Sequence, residues 1–217
     1  MLVNDERMIL MSFAIDIETI PDLSMVDLLP PVSASRTLKD PAKIAADIEE
    51  KARKQKEAMS LDPLFAKIIC IGVYNPHEKI ALMGEENQIL KDFWNVVGKH
   101  AQIITFNGRR FDLDVILKRG VKHGIGNFFL DRFLRDRGKS GRVIDIMDDF
   151  CLYGEFRSLD TLSKVYLGKQ KKEIDFKLFP ELLESEEGRN KIADYCLYDA
   201  QLTYELAQKL GYCINEH

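Results

Sequence analysis

The stretch Ser12–Asp22, which reads SFAIDIETIPD, decides the fold. Its apolar first half predicts a short β-strand over Ser12–Ile17 that ends in acidic residues. Side chains two positions apart on a strand share a face, so Asp16 and Glu18 are predicted to point the same way. Carboxylates at the edge of an apolar core are costly unless paired, and divalent cations are suitable partners. The stretch therefore predicts a strand that carries part of a metal site for phosphate chemistry.

The tripeptide Asp-Ile-Glu occurs a second time in the chain, so this tripeptide alone is weak evidence for a metal site. Asp47-Ile48-Glu49 lies in the highly charged segment DPAKIAADIEEKARKQKEAM, which has a helical pattern. On a helix, residues i and i+2 diverge, so Asp47 and Glu49 are not expected to share a ligand. The position of Asp16 after the apolar FAI run is what favours it over Asp47.

The rest of the chain alternates strand and helix patterns. Apolar runs predict further strands over Ile68–Tyr74, Ile80–Met83, Ile103–Phe106 and Arg142–Ile146. Apolar residues at helical spacing predict helices over Glu86–His100, Phe111–Arg119, Ser158–Leu167 and Glu187–Leu210, with Ser158 as an N-cap and Gly168 as a stop. We therefore expect a single α/β domain over residues 1–217, with Ile68–Tyr74 as a central strand of a mixed sheet flanked by helices.

One segment is too long for an ordinary connection between strands. Residues 22–63 hold a Pro-Pro pair, a Ser-rich stretch and the charged helical pattern. Connections of this length are usually functional insertions or mobile segments. We predict a helical insertion, whose role as a lid, a clamp or a surface elaboration stays open.

A second acidic motif, FNGRRFD, ends at Asp112. Asn107-Gly108 after an apolar strand is a turn signal, and Gly108 is expected to take a positive φ. The turn would place Asp112 in the first turn of the next helix, where the helix dipole alone also favours an acid. Arg109 and Arg110 beside it are candidates for phosphate contacts, although a solvated loop explains them equally well.

A third motif pairs Tyr195 with Asp199 in DYCLYDA. A spacing of four residues puts both side chains on one face of a helix. A surface Tyr–Asp pair would give the same pattern, so this motif is weak on its own.

The three motifs together, in this order and context, resemble the DEDDy subgroup of the DEDD superfamily of 3′→5′ exonucleases. The chain looks closest to the stand-alone predicted exonucleases related to the exonuclease domain of family B DNA polymerases, whose pattern DIET-x-PD matches Asp16–Asp22. The DEDDh subgroup has a histidine at the position of Asp194, so this chain resembles the tyrosine subgroup. The resemblance covers Ser12–Leu210 without the insertion.

This resemblance implies a ribonuclease H-like fold and two bound Mg²⁺ or Mn²⁺ ions. Asp16 would bridge both ions, Glu18 and Asp199 would complete one, and Asp112 would hold the other. Tyr195 would position the attacking water. The substrate would be single-stranded nucleic acid, with DNA favoured and RNA open, and the products nucleoside 5′-monophosphates. The alternative is a catalytically silent module that binds nucleic acid or a polymerase.

Further residues are candidates for substrate contacts. Asn107 and Phe111 could touch the terminal nucleotide, Phe111 either by stacking on a base or only by packing in the core. Asp145 is a structural candidate behind the site. Two basic runs could follow the phosphate backbone or simply be solvated: Arg132, Arg135, Arg137, Lys139 and Arg142, and Lys169, Lys171 and Lys172.

Composition sets the outer limits. The formal net charge is −4, and two divalent cations would bring it to 0, so the acidic balance does not exclude a nucleic-acid substrate. No apolar run approaches the roughly 18 residues that span a bilayer, and the N-terminal residues do not look like a signal peptide. The four cysteines show no CxxC spacing. We therefore expect a cytoplasmic protein with no membrane partner.

Overall fold

The computed structural model describes residues 11–97, 102–125, 143–151, 155–212 and 214. The described strands are β1 (Ser12–Pro21), β2 (Ala66–Tyr74), β3 (Lys79–Met83), β4 (Gln102–Thr105) and β5 (Val143–Asp145). The described α-helices are α1 (Pro41–Ala58), α2 (Glu86–Val97), α3 (Asp112–Lys122), α4 (Ile146–Phe150), α5 (Leu159–Leu167), α6 (Phe179–Leu182) and α7 (Glu186–Lys209). The predicted basic run from Arg132 to Arg142 and the predicted helix end at residues 98–100 lie outside the described residues.

The five strands form one mixed sheet in the order β3-β2-β1-β4-β5. β1 is antiparallel to β2 and parallel to β4, while β4 and β5 are parallel. The mixed sheet was predicted, and β2, which contains the predicted strand Ile68–Tyr74, is an inner strand as expected, with β1 on one side and β3 on the other. β1 occupies the centre because it alone is hydrogen-bonded to both the antiparallel and the parallel part of the sheet.

β1 is also longer than predicted. It continues past Ile17 to Pro21 because β2 keeps pairing with it, up to Pro21 opposite Ala66. The register shifts between Glu18 and Thr19, a bulge of the kind often found beside functional sites. The acids therefore lie within the strand and not at its end.

The two faces of β1 pack against different helices. Ile15 and Ile17 belong to a core that includes residues of α2 and α3. Ala14 belongs to a second core, formed largely with α5 and α7. Because side chains alternate along a strand, Asp16 and Glu18 continue the Ala14 face toward α7. Asp16 and Glu18 therefore lie on one face of β1, as predicted.

A short neighbour exposes the edge of β1 where the acids lie. β4 pairs with β1 only from Ser12 to Ala14 and ends at Thr105. The chain then turns through Asn107 and enters α3 at Asp112, as predicted. The start of α3 therefore fills the space beside β1 beyond the last β4 pair.

The turn differs from the prediction in one respect. The positive φ of 65° falls on Asn107, not on Gly108. Gly108 is required for a different reason: a Cβ there would lie 1.9 Å from Thr105 Oγ1. Gly108 also donates its backbone N–H to that oxygen over 2.6 Å. The glycine permits a close approach between the turn and the end of β4.

Between β1 and β2 the chain forms the predicted helical insertion. It contains a 3-10 helix at Leu23–Leu28, then α1, capped by Asp40 and with no buried residue, and a 3-10 helix at Met59–Leu61. Met59 is only 1% exposed, and Thr19 donates its hydroxyl to the Ser60 carbonyl over 2.7 Å. The end of the insertion is therefore fixed to β1, next to the acids.

Two further sequence predictions are confirmed. Ser158 caps α5 by accepting the Thr161 N–H, and Gly168 ends that helix with a φ of 66°. Among the helices that the structure describes, none is long and apolar enough to cross a membrane.

Candidate active site

A cavity of about 510 Å³ opens where β1, the start of α3 and α7 meet. Its size falls in the range of about 300–1,000 Å³ that is usual for small-ligand sites. It is lined by residues from five parts of the chain: Asp16, Ile17, Glu18 and Thr19; Ser60 and Leu61; Phe106, Asn107, Arg110, Phe111 and Asp112; Lys171 and Phe176; Tyr195 and Asp199. All five predicted catalytic residues line this one cavity.

The two acids of β1, Asp16 and Glu18, have raised pKa values. Burial raises the pKa of Asp16 well above its ordinary value, and the charges of Glu18, Asp112 and Asp199 raise it further. The pKa of Glu18 is raised well above normal by burial and by Asp199. These mutual effects show that the four carboxylates act on one another across the cavity.

Asp112 joins this group from the start of α3. Its side chain accepts a hydrogen bond from the Ile17 backbone, on the edge of β1 that β4 leaves uncovered. Burial nevertheless raises the pKa of Asp112 to about 7, and the charge of Asp145 adds to this. The first turn of α3 thus delivers a carboxylate to β1 and does more than cap a helix.

Asp199 carries an internal counter-charge. The Lys171 ammonium lies 2.5 Å from Asp199 Oδ2, and both side chains are largely buried. Burial raises the pKa of Asp199, although Lys171 and a hydrogen bond from Tyr195 oppose this. The other oxygen, Oδ1, is buried and has no hydrogen-bond partner. Buried carboxylate oxygens rarely lack a partner, so this one marks a position for a ligand.

The donor set fits divalent cations. Oxygens of Asp16 and Glu18 and the Cys196 sulfur all lie within 4.8 Å of one another. The Cys196 thiol is already hydrogen-bonded to the Asp16 carbonyl and the Gly72 N–H, at 3.3 and 3.1 Å. The carboxylates and the orphan Asp199 oxygen remain, and hard oxygen donors of this kind suit Mg²⁺ and Mn²⁺.

Tyr195 lies on the same face of α7 as Asp199, as its spacing predicts. Burial raises the pKa of the Tyr195 hydroxyl, and the nearby Asp199 charge raises it further. Its ring is held edge-on by Phe176, with centroids 5.8 Å apart, and the Lys171 ammonium lies 5.3 Å from the ring centroid. A fixed phenol that keeps its proton can orient a water molecule but is a poor base.

Asp145 holds the turn that carries the predicted substrate contacts. It is completely buried, and its carboxylate accepts the backbone N–H of Asn107 and of Arg109, each at 2.8 Å. It also caps α4. Asn107 is thereby kept at positive φ with a buried side-chain oxygen, Oδ1, that has no hydrogen-bond partner. Asn107 lines the cavity, in agreement with its predicted position.

The two arginines of the motif lie in different places. Arg110 lines the cavity and forms an exposed ion pair with Asp148 at 2.9 Å. Arg109 is absent from the lining; it donates to the Val143 carbonyl and to Asp149, at 2.6 and 3.0 Å. This placement favours a structural role for Arg109 and leaves Arg110 as the candidate for phosphate.

Phe111 has the core contacts of one alternative, and its position leaves the other, stacking on a base, as a prediction. It packs against the core beneath α2 and α3 and also lines the cavity. Among the apolar lining residues that were not predicted, two are exposed: Leu61 from the insertion, 75% exposed, and Phe176, 56% exposed. Nothing in their local sequence distinguishes them from ordinary surface residues.

The lysine run separates into three different roles. Lys171 reaches the cavity, whereas Lys169 pairs with Glu205 and Lys172 lies over the Tyr198 ring. The sequence indicated this group of lysines but did not indicate that Lys171 is the one that reaches the cavity. The second DIE tripeptide behaves as expected, since Asp47 pairs with Lys51 on α1, away from the cavity lining.

Comparison with known proteins identifies the family. Residues 64–213 match the family described as "Predicted 3'-5' exonuclease related to the exonuclease domain of PolB". The match covers more than half of the chain, and the chain belongs to this family. Asp112, Tyr195 and Asp199 lie within the matched residues, while Asp16 and Glu18 precede them.

Curated relatives are DNA polymerases. The enzyme of Thermococcus litoralis is 28% identical over 151 residues, which cover 60% of this chain and 9% of the polymerase. That of Pyrococcus glycovorans is 27% identical over 145 residues, covering 60% of this chain and 19% of the polymerase. The DNA polymerase catalytic subunit of Tupaiid herpesvirus 1 is 40% identical over 55 residues, 25% of this chain and 5% of that protein. The chain thus spans less than a fifth of each of these relatives.

The fold has a solved counterpart. The family B DNA polymerase of Pyrobaculum calidifontis matches 92% of this chain and 24% of its own chain, with a TM-score of 0.59 and 17% identity. This likeness establishes the predicted ribonuclease H-like fold, a mixed sheet with flanking helices.

Proposed function

We propose that the protein is a metal-dependent 3′→5′ exonuclease of the DEDDy type that releases nucleoside 5′-monophosphates from single-stranded nucleic acid, with DNA as the favoured substrate. The observation that carries the proposal is the meeting of four carboxylates and Tyr195 in one cavity. The curated relatives are DNA polymerases, which supports DNA.

The carboxylates would hold two Mg²⁺ or Mn²⁺ ions. Asp16 would contact both, Glu18 and Asp199 would complete one site, and Asp112 would hold the other. Bound there, the ions would activate water and neutralise charge on the phosphodiester and the departing 3′-oxygen. The mutual repulsion that raises the pKa of Asp16 would be relieved by these positive charges.

The protein's own groups would position the substrate. The Tyr195 hydroxyl, protonated at neutral pH, would orient the attacking water. Lys171, which pairs with Asp199, would bind a phosphate oxygen of the substrate. Arg110 would contact the next phosphate from the opposite wall. Asn107, with its orphan side-chain oxygen, would accept a hydrogen bond from the terminal sugar.

The apolar side of the cavity would receive the base. Phe176 makes edge-on ring contacts with Phe179 and Tyr195, at 5.3 and 5.8 Å between centroids. Leu61 and Phe111 supply two more apolar contacts. Stacking and apolar contact tolerate any base, so little sequence selectivity is expected.

Three described cysteines are free thiols, which supports the proposed cytoplasmic location.

The test is a digestion of 5′-labelled single-stranded DNA and RNA of equal sequence with Mg²⁺, Mn²⁺ or EDTA. The proposal expects a ladder that shortens from the 3′ end, nucleoside 5′-monophosphates as products, and no reaction in EDTA. Faster digestion of RNA would make the protein an exoribonuclease. Binding of the strand without cleavage under any metal condition would support the silent module.

A further inference from the structure

The DIETIPD stretch contains one acid that the proposed chemistry does not use. Asp22 follows the last residue of β1 and is only 6% exposed. It accepts the Ser24 N–H over 3.1 Å and donates its own N–H to the Phe65 carbonyl over 2.9 Å. It is therefore fixed firmly to the end of β1 and to the start of β2.

A buried arginine on α3 reaches Asp22. Arg119 is only 2% exposed and lies seven residues after Asp112, about two turns along the same helix and on the same face. Its guanidinium contacts Asp22 Oδ2 at 2.8 Å. The same group makes a two-pronged contact with Glu86, at 2.7 and 2.5 Å.

Glu86 extends the contact to two more elements. It opens α2 and accepts the Ile68 N–H of β2 over 2.8 Å. Hydrogen bonds from Arg119 and His123 hold the pKa of Glu86 below normal although burial raises it. Arg119 thus joins the end of β1, the start of β2, α2 and α3 in one buried ionic network.

At the end of β1 and α3 that lines the cavity, acidic residues face one another. Asp16 and Glu18 on β1 face Asp112 on α3, and these like charges repel one another. The Asp112 carboxylate accepts a hydrogen bond from the Ile17 backbone there, but when the acids are ionised and no cation lies between them, their repulsion acts against this contact and favours a displacement of the start of α3. An attraction of opposite charges farther along β1 and α3 resists that displacement. Asp22 and Arg119 are both buried, so solvent screens this attraction little.

We propose that Asp22 and Arg119 are positioning residues that brace α3 against β1 and so set the distance of Asp112 from Asp16. The brace raises the affinity of the carboxylate site for divalent cations without touching them. The inference rests on the proposed role of these acids as metal ligands. It gives a function to Asp22, the last residue of the DIETIPD stretch.

The direct readout is Mn²⁺ binding, followed by the electron paramagnetic resonance signal of the free ion, without substrate. Asp22→Asn keeps the size of the side chain and leaves Arg119 paired with Glu86. It removes the charge that both Arg119 and Lys122 of α3 contact, at 2.8 and 2.5 Å, so it loosens the contacts between the end of β1 and α3. Partners outside the ligand shell change metal affinity by about 10- to 100-fold, and a loss in this range is expected. Lys118→Met is the control, because Lys118 pairs with Asp114 on the surface of the same helix, at 2.7 Å.

A double-mutant cycle separates positioning from general stability. If Asp22 acts through Asp112, Asp22→Asn weakens Mn²⁺ binding strongly in the wild type and little in an Asp112→Asn background. Equal weakening in both backgrounds, or wild-type affinity in folded Asp22→Asn, would overturn the brace. Should Asp22→Asn not fold, Arg119→Lys takes its place with the same expectations. Absence of Mn²⁺ binding by the wild type would instead overturn the proposed function itself.

Discussion

Lys171 neutralises Asp199 inside the candidate active site: its ammonium lies 2.5 Å from Asp199 Oδ2, while Asp199 Oδ1 has no hydrogen-bond partner. Burial alone would lower the pKa of Lys171, but the Asp199 charge raises it above normal, so the lysine is cationic at neutral pH. Four carboxylates and two basic residues, Lys171 and Arg110, line the cavity, so acidic groups outnumber basic ones there and favour the binding of positive ions.

Replacement of this lysine has two expected effects. Lys171→Met removes the proposed charged contact with phosphate. Hydrogen bonds to charged groups contribute about 1.5–3 kcal/mol, so kcat/KM should fall about 10- to 100-fold. Without metal, the variant should also melt at a lower temperature, because the carboxylates lose their counter-charge. Lys169→Met is the matched control, since Lys169 pairs with Glu205 at the surface. Equal activity of the two variants would show that Lys171 does not contact the substrate.

The metal-free protein should lose stability as pH rises from about 5 to 8. The pKa of Asp112 is about 7 in the folded protein against an ordinary value of 3.8, so in this window the folded state binds more protons than the unfolded state. The raised pKa values of Asp16, Glu18 and Asp199 act in the same direction. Asp22 and Glu86, whose pKa values are lowered, affect stability only at more acidic pH.

This prediction is checked by thermal unfolding in EDTA at several pH values. Asp112→Asn should flatten the fall, and excess Mn²⁺ should raise the melting temperature more at pH 8 than at pH 5. Each kcal/mol corresponds to about 2–4 °C for a chain of this size. A melting temperature that rises between pH 5 and pH 8 in EDTA would contradict the raised pKa values.

Gly108 should be needed for activity as well as for stability. A Cβ at this position would lie 1.9 Å from Thr105 Oγ1, so Gly108→Ala must displace the turn that carries Asn107 and Asp112. Overpacking of this kind costs about 1–3 kcal/mol. Gly124→Ala is the control: its φ of 65° also disfavours alanine, but its Cβ would meet no described atom within 4 Å.

Both glycine variants should therefore be less stable, and only Gly108→Ala should lose activity under conditions where each is folded. Chemical denaturation gives the stabilities, and digestion of a short oligonucleotide gives the activities. Wild-type activity of folded Gly108→Ala would show that the close contact with Thr105 has no role in the site.

The insertion should contribute to substrate binding through one residue. Leu61 lines the cavity and is 75% exposed, whereas Leu64 is 52% exposed and does not line it. Leu61→Ala should raise KM for oligonucleotides with little change in kcat, because only apolar contact with a base is lost. Leu64→Ala should behave as wild type. Identical KM values for the two variants would leave the insertion without a part in substrate binding.

The sequence predicted which acidic side chains lie together better than it predicted the strand and turn geometry around them. Asp16, Glu18, Asp112, Tyr195 and Asp199 meet in one cavity because each lay at a position where strand or helix periodicity fixed its direction. The length of β1 was missed, since its continuation to Pro21 depends on pairing with the distant β2. Local patterns carry no information about such pairing.

Long-range contacts also explain the residues that were not singled out. Lys171 is one of several lysines in its run, and only the packing of that run against α7 places it beside Asp199. The positive φ was expected at Gly108 but occurs at Asn107. A glycine is needed at position 108 because of its close contact with Thr105, which the local sequence does not reveal. Asp22 and Arg119 are 97 residues apart, beyond the reach of any local pattern.

The most direct test of the central claim compares the two DIE tripeptides of this chain. Asp16→Asn and Asp47→Asn remove the same charge from the same local sequence, once in the cavity and once on α1 beside Lys51. With Mn²⁺ and 5′-labelled single-stranded DNA, Asp47→Asn should shorten the strand from its 3′ end at the wild-type rate. Asp16→Asn should be slower by more than about 100-fold, the size of effect that follows loss of a group stabilising transition-state charge. Equal rates for the two variants would contradict the assignment of Asp16 and its neighbours as the catalytic metal site.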